Sequence, residues 1–506
     1  MNFSKGKPGG ADPSGVGTDT ADSRPAPPGE IARAGARGAL WQGLAFAVGK
    51  AIVLVTTVVL ARLLSPEQYG LVALALVLMA YAETVADAGV AQALVYLPRT
   101  RDAARAALLI SVLMGGLLTA GAIISAPLIA AFFDRPDVAP LVRVLALSLL
   151  ATALAAVPEA LLRRELRFRQ LTAATVTRAC AAGSVTLVLA FAGYGAWSLA
   201  IGTLAGSAAY ATACWILLRE QLDWQIWRVR KQSLRESLGF GAPAAGSTLL
   251  ARLIFDVDYL IIGRVLGASA LGYYTLAFRL PELLIINVFF VLSTVMFPLY
   301  AQVRNDQGRL RSGYLKSVQL QSLYGLTAGV GLAVIAPVLV PVLFGGQWTD
   351  AVLPLVFLSL YAAARSLGAG ANDLYKALGR PGLSIWISLV RLVILLPVLV
   401  LSTRWGIPGV ACAQFAVAVL FAIGMQAVAA KVMRLQARQL LAAALPGLVC
   451  GVAVAVTGLA VRAIPLPGDV LSALAVILTC VGVVYAVLRW AFPSLHDELL
   501  QLVRHR

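Results

Sequence analysis

Histidine is nearly missing from this chain of 506 residues, with only His496 and His505, both close to the C-terminus, where they read as solvated surface residues. The five cysteines, Cys180, Cys214, Cys412, Cys450 and Cys480, form no CxxC pair and all lie in apolar stretches. That inventory leaves no ligand set for a metal cluster and no disulfide framework, so neither a metal nor a soluble cofactor is expected. Charge is also scarce, at 13% of residues against 60% hydrophobic, which leaves too little polar surface to solvate a soluble fold of this length. Acidic residues number 24 against 41 lysines and arginines. In a soluble protein that excess would point to nucleic acid, but here the placement of the charges decides against it.

What is present in abundance is the long apolar run. A helix needs roughly 20 residues to cross a hydrocarbon core of about 30 Å. Fourteen such stretches recur between residues 36 and 490. Runs such as Ala106 to Ala131 are continuously apolar and too long for the alternating strands of a membrane barrel. The expectation is an all-α polytopic membrane protein. Residues 1–35, polar and rich in Gly and Pro, read as a disordered tail, and the first apolar stretch reads as a retained anchor, not a cleaved signal.

Basic residues alternate between dense and sparse connections. The sparse side holds Arg62, Arg135, Arg143, Arg264, Arg404 and Arg462, whereas clusters such as Arg163, Arg164, Arg167 and Arg169 lie on the other. By the positive-inside rule the dense side and both termini are cytoplasmic, as an even number of spans requires. Trp197, Trp348 and Trp405 then fall near outer helix ends and Trp41, Trp224, Trp227 and Trp490 near inner ones, as interfacial belts.

The chain also repeats itself. Ala61 to Ala75 can be laid on Gly263 to Ala277 at an offset of 202, and Arg, Leu, Gly, Leu and Ala coincide. Both segments join the first to the second helix of a six-helix set. Because six is even, the sets enter the membrane in the same direction, as two parallel bundles related by a pseudo-two-fold along the membrane normal. The expected divisions are a bundle over 36–218, a cytoplasmic amphipathic linker or plain basic loop over 219–237, a second bundle over 238–432, two extra helices over 433–492 and a tail over 493–506.

Six cations fall inside the apolar stretches: Lys50, Arg178, Arg252, Arg279, Arg365 and Arg391. If all six faced lipid, the insertion penalty would be on the order of 15 to 20 kcal/mol, so a wet interior is expected. The offset carries Lys50 onto Arg252, and a second echo brings Arg178 close to Arg391. Converging cations of this kind suit a polyanion, with phosphate matching arginine's bidentate donors and lysine's point charge. The competing reading is local pairing, Arg252 with Asp256 and Arg279 with Glu282. Glu83 and Asp87 share a helix face and would neutralise Lys50 in the absence of substrate. Together with Asp256 and Asp258 they are candidates for binding a coupling proton or sodium, or plain counter-ions for helix packing.

GALWQGLAFAVGKAIVLVTTVVLARLLSPEQYGLVALA, ETVADAGVAQALV and DVDYLIIGRVLGASALGYYTLAFRLP together resemble the polysaccharide transporter branch, the Wzx-type flippases, of the multidrug/oligosaccharidyl-lipid/polysaccharide exporter superfamily. The resemblance implies a V-shaped pair of bundles in a bacterial inner membrane. By alternating access they would move a polyprenyl-pyrophosphate-linked oligosaccharide of an O-antigen or exopolysaccharide pathway, with a polysaccharide polymerase and chain-length machinery as possible pathway partners. It implies no enzymatic activity and places Lys50 and Arg252 where relatives line the cavity with cations. A lipid II flippase of the same superfamily is the alternative. A glycan polymerase or glycosyltransferase would need long outer loops, and a drug antiporter an acidic cavity, and the chain offers neither.

Overall fold

The computed structural model describes residues 48–86, 101–165, 167–218, 248–249, 252–253, 255–464 and 467–504. Asp87, the tail over 1–35 and the linker over 219–237 lie outside the described residues. Every regular element among the described residues is helical: α1 (48–63), α2 (Pro66–Ala86), α3 (Arg101–Phe132), α4 (Val138–Arg164), α5 (Phe168–Phe191), α6 (Ala196–Leu218) and α7 (255–265). They continue as α8 (Gly267–Val303), α9 (Gln307–Phe344), α10 (Val352–Ala377), α11 (Pro381–Ser402), α12 (Gly406–Met433), α13 (Ala437–Arg462), α14 (Asp469–Ala491) and α15 (Pro493–Arg504). Eleven described stretches are long and apolar enough to cross a membrane, and the longest, Gly382–Met433, turns back at Gly406, whose φ of 68° suits glycine.

Packing follows the repeat read from the sequence. In the first half α2 packs on α4, α3 on α4, α4 on α6 and α5 on α6. Six helices later α8 packs on α10, α9 on α10, α10 on α12 and α11 on α12. The extra pair attaches to the second half, α13 against α9 and α14 against both. Among the described helices, α2 with α8 is the strong pairing that crosses between the halves.

This crossing is as close as backbone allows. A Cβ on Gly70 would sit 1.7 Å from the Ala268 carbonyl oxygen, and one on Gly272 would sit 2.0 Å from that of Pro66. Gly70 corresponds to Gly272 and Pro66 to Ala268 under the offset of 202, so each half makes the same contact on the other. Small residues let membrane helices approach in this way, where packing and not water expulsion holds them together.

The less basic end of the bundle is locked across the same crossing. Arg62, at the end of α1, donates from Nε and Nη2 to the carbonyls of Leu343 (3.0 Å) and Val342 (2.5 Å) in the last turn of α9. In return Gln347 Nε2 and Trp348 Nε1 donate to the Ala61 carbonyl in the last turn of α1, at 2.7 and 2.6 Å. Each helix C-terminus thus receives donors from the other half for carbonyls that lack an intrahelical partner. Arg264, the repeat mate of Arg62, crosses the opposite way, 5.5 Å from the Phe132 ring centroid at the end of α3. Trp348 is wholly buried, with the rings of Tyr69 and Tyr273 meeting it edge-on, each at 5.7 Å. It is therefore part of this lock and not of a lipid-facing belt, because its N–H is needed by a buried carbonyl.

Away from the lock the apolar core forks. One cluster joins both halves, from Ala61, Leu74 and Leu145 to Leu271, Phe344 and Leu358. Toward the basic end the clusters belong to single halves: one around Leu162, Leu171 and Tyr210, and one around Tyr300, Tyr314 and Tyr375. Toward the basic end the buried apolar core is thus divided between the halves.

His496 departs from its expected solvated state. It lies on α15, whose Leu495 docks beside Leu323 and Cys450, and its ring meets Tyr485 edge-on at 5.4 Å. The α15 segment is amphipathic and covers the basic end of α9, where Lys316 and Glu498 pair. All five cysteines are free thiols.

Trp348→Ala is expected to lower stability by about 3–5 kcal/mol, the range for truncating a buried aromatic, and to loosen the lock. Impermeant maleimide labelling of Thr57→Cys, a buried position on α1, in a cysteine-free background should rise several-fold when Trp348→Ala or Gly70→Val is added. Unchanged labelling in both would show that this end is held closed by something else.

Candidate functional site

Of the six embedded cations, Lys50 and Arg178 stand in the first half and Arg252, Arg279, Arg365 and Arg391 in the second. Arg365 stands 13 residues after the start of α10 and 12 before its end, about 20 Å and 18 Å along the axis, too far for its side chain to reach either interface. It must be neutralised or hydrated where it is.

Local pairing accounts for two of the six cations. Arg252 Nε lies 3.0 Å from Asp256 Oδ2, and Arg279 Nη1 lies 3.1 Å from Glu282 Oε2. Glu282 opens a π-helical turn, Glu282–Ile286, immediately after Pro281. This local widening of α8 is of the kind that recurs at functional sites. Lys50 lies within electrostatic reach of Glu282 and Arg279 across the interface between the halves. Glu83 lies within reach of Arg178 and Arg252, so the acid expected to balance Lys50 faces two arginines on α5 and beside α7.

Arg178 is exposed, with its guanidinium carbon 5.7 Å from the Tyr210 ring centroid. It does not meet Arg391, which stands in the other half.

Arg365 and Arg391 form a different arrangement. Arg365 Nη1 donates to Tyr361 Oη at 2.8 Å, and Arg391 Nη2 approaches the same oxygen at 3.5 Å. The Arg365 guanidinium carbon is also 3.9 Å from the Phe255 ring centroid, stacked on an aromatic face. Neither arginine joins an ion pair among the described residues, and Arg391 Nε is buried with no hydrogen-bond partner. Two like charges sharing one phenol in a low-dielectric interior repel. An anion placed between them would relieve that repulsion and meet the unused donor.

Asp258 lies near this pair but is engaged elsewhere. Its carboxylate accepts from Tyr274 Oη at 2.5 Å, Gln414 Nε2 at 2.9 Å and the Tyr259 N–H at 3.1 Å. The carboxylate ties α7 to α8 and α12, while Gln414 Oε1 remains buried and unpartnered beside it. Of the acids considered for ion coupling, Asp256 is therefore paired, Asp258 is a helix cross-link with an unused acceptor next to it, and Glu83 balances arginines.

Tyr361, Phe255, Tyr274 and Gln414 escape a reading of the sequence alone. Tyr361 carries a weak signal, its place four residues before Arg365 on one helix face. Nothing in the sequence points to the other three.

A family model described as "Polysaccharide biosynthesis protein" matches residues 59–353. The lipopolysaccharide biosynthesis protein WzxC of Escherichia coli (strain K12) is 25% identical over 370 residues, covering 72% of this chain and 74% of that one. The succinoglycan biosynthesis transport protein ExoT of Rhizobium meliloti (strain 1021) is 24% identical over 340 residues, covering 67% and 68%. Among solved structures, the lipid II flippase MurJ in its inward closed conformation superposes with a TM-score of 0.70 at 14% identity, over 89% of this chain and 99% of that one. That likeness establishes the fold.

Tyr361→Phe should destabilise the purified protein by about 1–3 kcal/mol, since both guanidiniums lose an acceptor. Arg391→Gln should be neutral or stabilising, because it removes the repulsion. Thermal unfolding in detergent separates the two, and a loss in Arg391→Gln as large as in Tyr361→Phe would show that the arginines are already balanced.

Proposed function

This chain belongs to the polysaccharide biosynthesis protein family, and from that membership we propose that it is a flippase for a lipid-linked saccharide. It is a multi-pass membrane protein of a transport family. The cargo is a polyprenyl-pyrophosphate-linked oligosaccharide of an O-antigen or exopolysaccharide pathway, moved from the cytoplasmic to the periplasmic leaflet of a bacterial inner membrane. Both termini are cytoplasmic in this reading, so the fork opens to the cytoplasm and the lock closes the periplasmic end.

The observation that carries the proposal is the pair of mid-helix arginines, Arg365 and Arg391, which share one tyrosine oxygen and have no carboxylate partner among the described residues. A pyrophosphate entering between the halves would meet Lys50 and Arg252 from the two sides, and the paired acids Asp256 and Glu282 would release their arginines to it. Charge-assisted bonds from guanidinium to phosphate oxygens are short and strong where water is excluded. Outward opening then requires the Arg62, Gln347 and Trp348 bonds to break, so anion binding at mid-depth and release of the lock are two ends of one rocking motion. Asp258 is the site at which a proton would couple this motion to an ion gradient, since the neutral acid gains a donor for the buried, unpartnered Gln414 Oε1 and so changes how α7 is tied to α12.

The leaflet distribution of lipid-linked saccharide tests the proposal in cells carrying the intact protein, Lys50→Ala with Arg252→Ala, or none. Accumulation on the cytoplasmic side in the last two alone is expected, at equal membrane levels. Normal crossing in all three would remove the flippase reading. Asp258→Asn should leave cargo binding intact while abolishing the dependence of transport on the proton gradient, and a preserved dependence would move the coupling site elsewhere.

A further inference from the structure

A second cationic site lies far from the fork, at the basic end of the second half. A cavity of about 320 Å³ is lined by Arg304, Arg311, Arg380 and Arg434, of which Arg311 is half-buried and the rest exposed, and by no acidic residue among the described ones. The four come from four separate places in the chain: the end of α8, the second turn of α9, the residue before α11 and the residue after α12. Sequence proximity does not bring them together; the packing of α8, α9, α10 and α12 does.

Two ordinary explanations account for part of this cluster. Arginine is favoured at cytoplasmic helix ends, and cations suit the C-termini of α8 and α12. Arg311 fits that role, donating from Nε to the Met433 carbonyl at 2.8 Å. The other three have no ion pair or hydrogen bond among the described side-chain contacts. The acid of the adjoining connection, Asp306, is already committed: its side chain accepts from the Arg309 N–H at 3.0 Å and lies 3.3 Å from Arg309 Nε. Arg434 holds a left-handed backbone, φ 53°, at the position after a helix where glycine is usual. A topological bias would be met by cations spread over the surface. Their convergence on one cavity with no counter-charge among the described residues is what a bound anion explains.

We propose that this cavity binds the phosphate headgroup of an acidic phospholipid. Guanidinium groups match phosphate oxygens in geometry and charge, and basic pockets between helix ends on the inner face of a membrane take such headgroups. The cavity wall also includes the apolar side chains of Leu378 and Met433, which suit the glycerol and first methylenes of a lipid better than a freely hydrated ion. Trp386, 69% exposed in the second turn of α11, stands a short way along the chain from Arg380, as an aromatic anchor at that level of the bilayer. A lipid held there would bridge the inner ends of α8, α9, α11 and α12. The site rests on the membrane reading alone and stands apart from the flippase reading.

Native mass spectrometry of the full chain in detergent, titrated with phosphatidylglycerol or phosphatidylcholine, tests the site. The intact protein should retain phosphatidylglycerol preferentially, and Arg304→Gln with Arg380→Gln and Arg434→Gln should weaken its binding on the order of a hundredfold. A control carrying Arg309→Gln, Arg438→Gln and Arg489→Gln should bind as the intact protein does. Equal losses in both triple variants would reduce the site to a general basic surface and overturn the proposal. Inorganic phosphate in place of lipid should neither bind comparably nor displace it; if it does both, the ligand is a soluble phosphate and the lipid assignment fails. Should the triple variant not fold, Arg380→Gln alone, at an exposed position, is expected to weaken binding roughly fivefold, and unchanged binding would overturn the proposal.

Discussion

The contact between α2 and α8 at Gly70 and Gly272 governs what the rest of the molecule can do. Each glycine lies against a backbone carbonyl of the other half, so the halves meet backbone to backbone at one level and diverge from it. The reciprocal capping by Arg62, Gln347 and Trp348 fastens the less basic end above that contact. With the halves held together there, the apolar core must divide toward the other end, as its clusters do.

Division of the core is what makes the embedded cations tolerable. A guanidinium at mid-depth facing hydrocarbon has no partner and no water, while one facing a fork has both within reach. The structure sorts the cations by how fully they are neutralised. Arg252 and Arg279 hold acids three or four residues along the chain, whereas among the described residues Arg365 and Arg391 hold a shared tyrosine oxygen and an aromatic face. An incoming anion gains most where neutralisation is least complete. The least neutralised cations, Arg365 and Arg391, and the acids Asp256 and Glu282 all stand in the second half, whereas the first half contributes Lys50, Arg178 and Glu83.

The legibility of these features in the sequence varied with the range of the interaction. The repeat was visible in fifteen aligned positions, and Gly70 with Gly272 proved to be the pair that its packing depends on. The pairs Arg252 with Asp256 and Arg279 with Glu282 could be read as alternatives because helical spacing alone brings their side chains together. Trp348 was misplaced in a lipid belt, since its depth along a helix says nothing about whether the neighbouring surface is lipid or the α1 C-terminus. His496 was misplaced in solvent for the same reason, as its burial depends on α15 folding back over α9 and α14. Tyr361, Phe255 and Gln414 stand on different helices and meet the charges only through tertiary packing.

By itself the amino-acid sequence determined that the chain is a helical membrane protein, that it is duplicated, and that it retains cations where hydrocarbon would exclude them. These follow from composition, period and position along single helices, all properties of local stretches of chain. Which cations are neutralised, which end is closed, and that Arg304, Arg311, Arg380 and Arg434 surround one cavity were decided by tertiary structure alone. Coulomb energy and steric contact depend on distances between helices, and those distances are set only when α2 closes on α8 and each half packs around its own core.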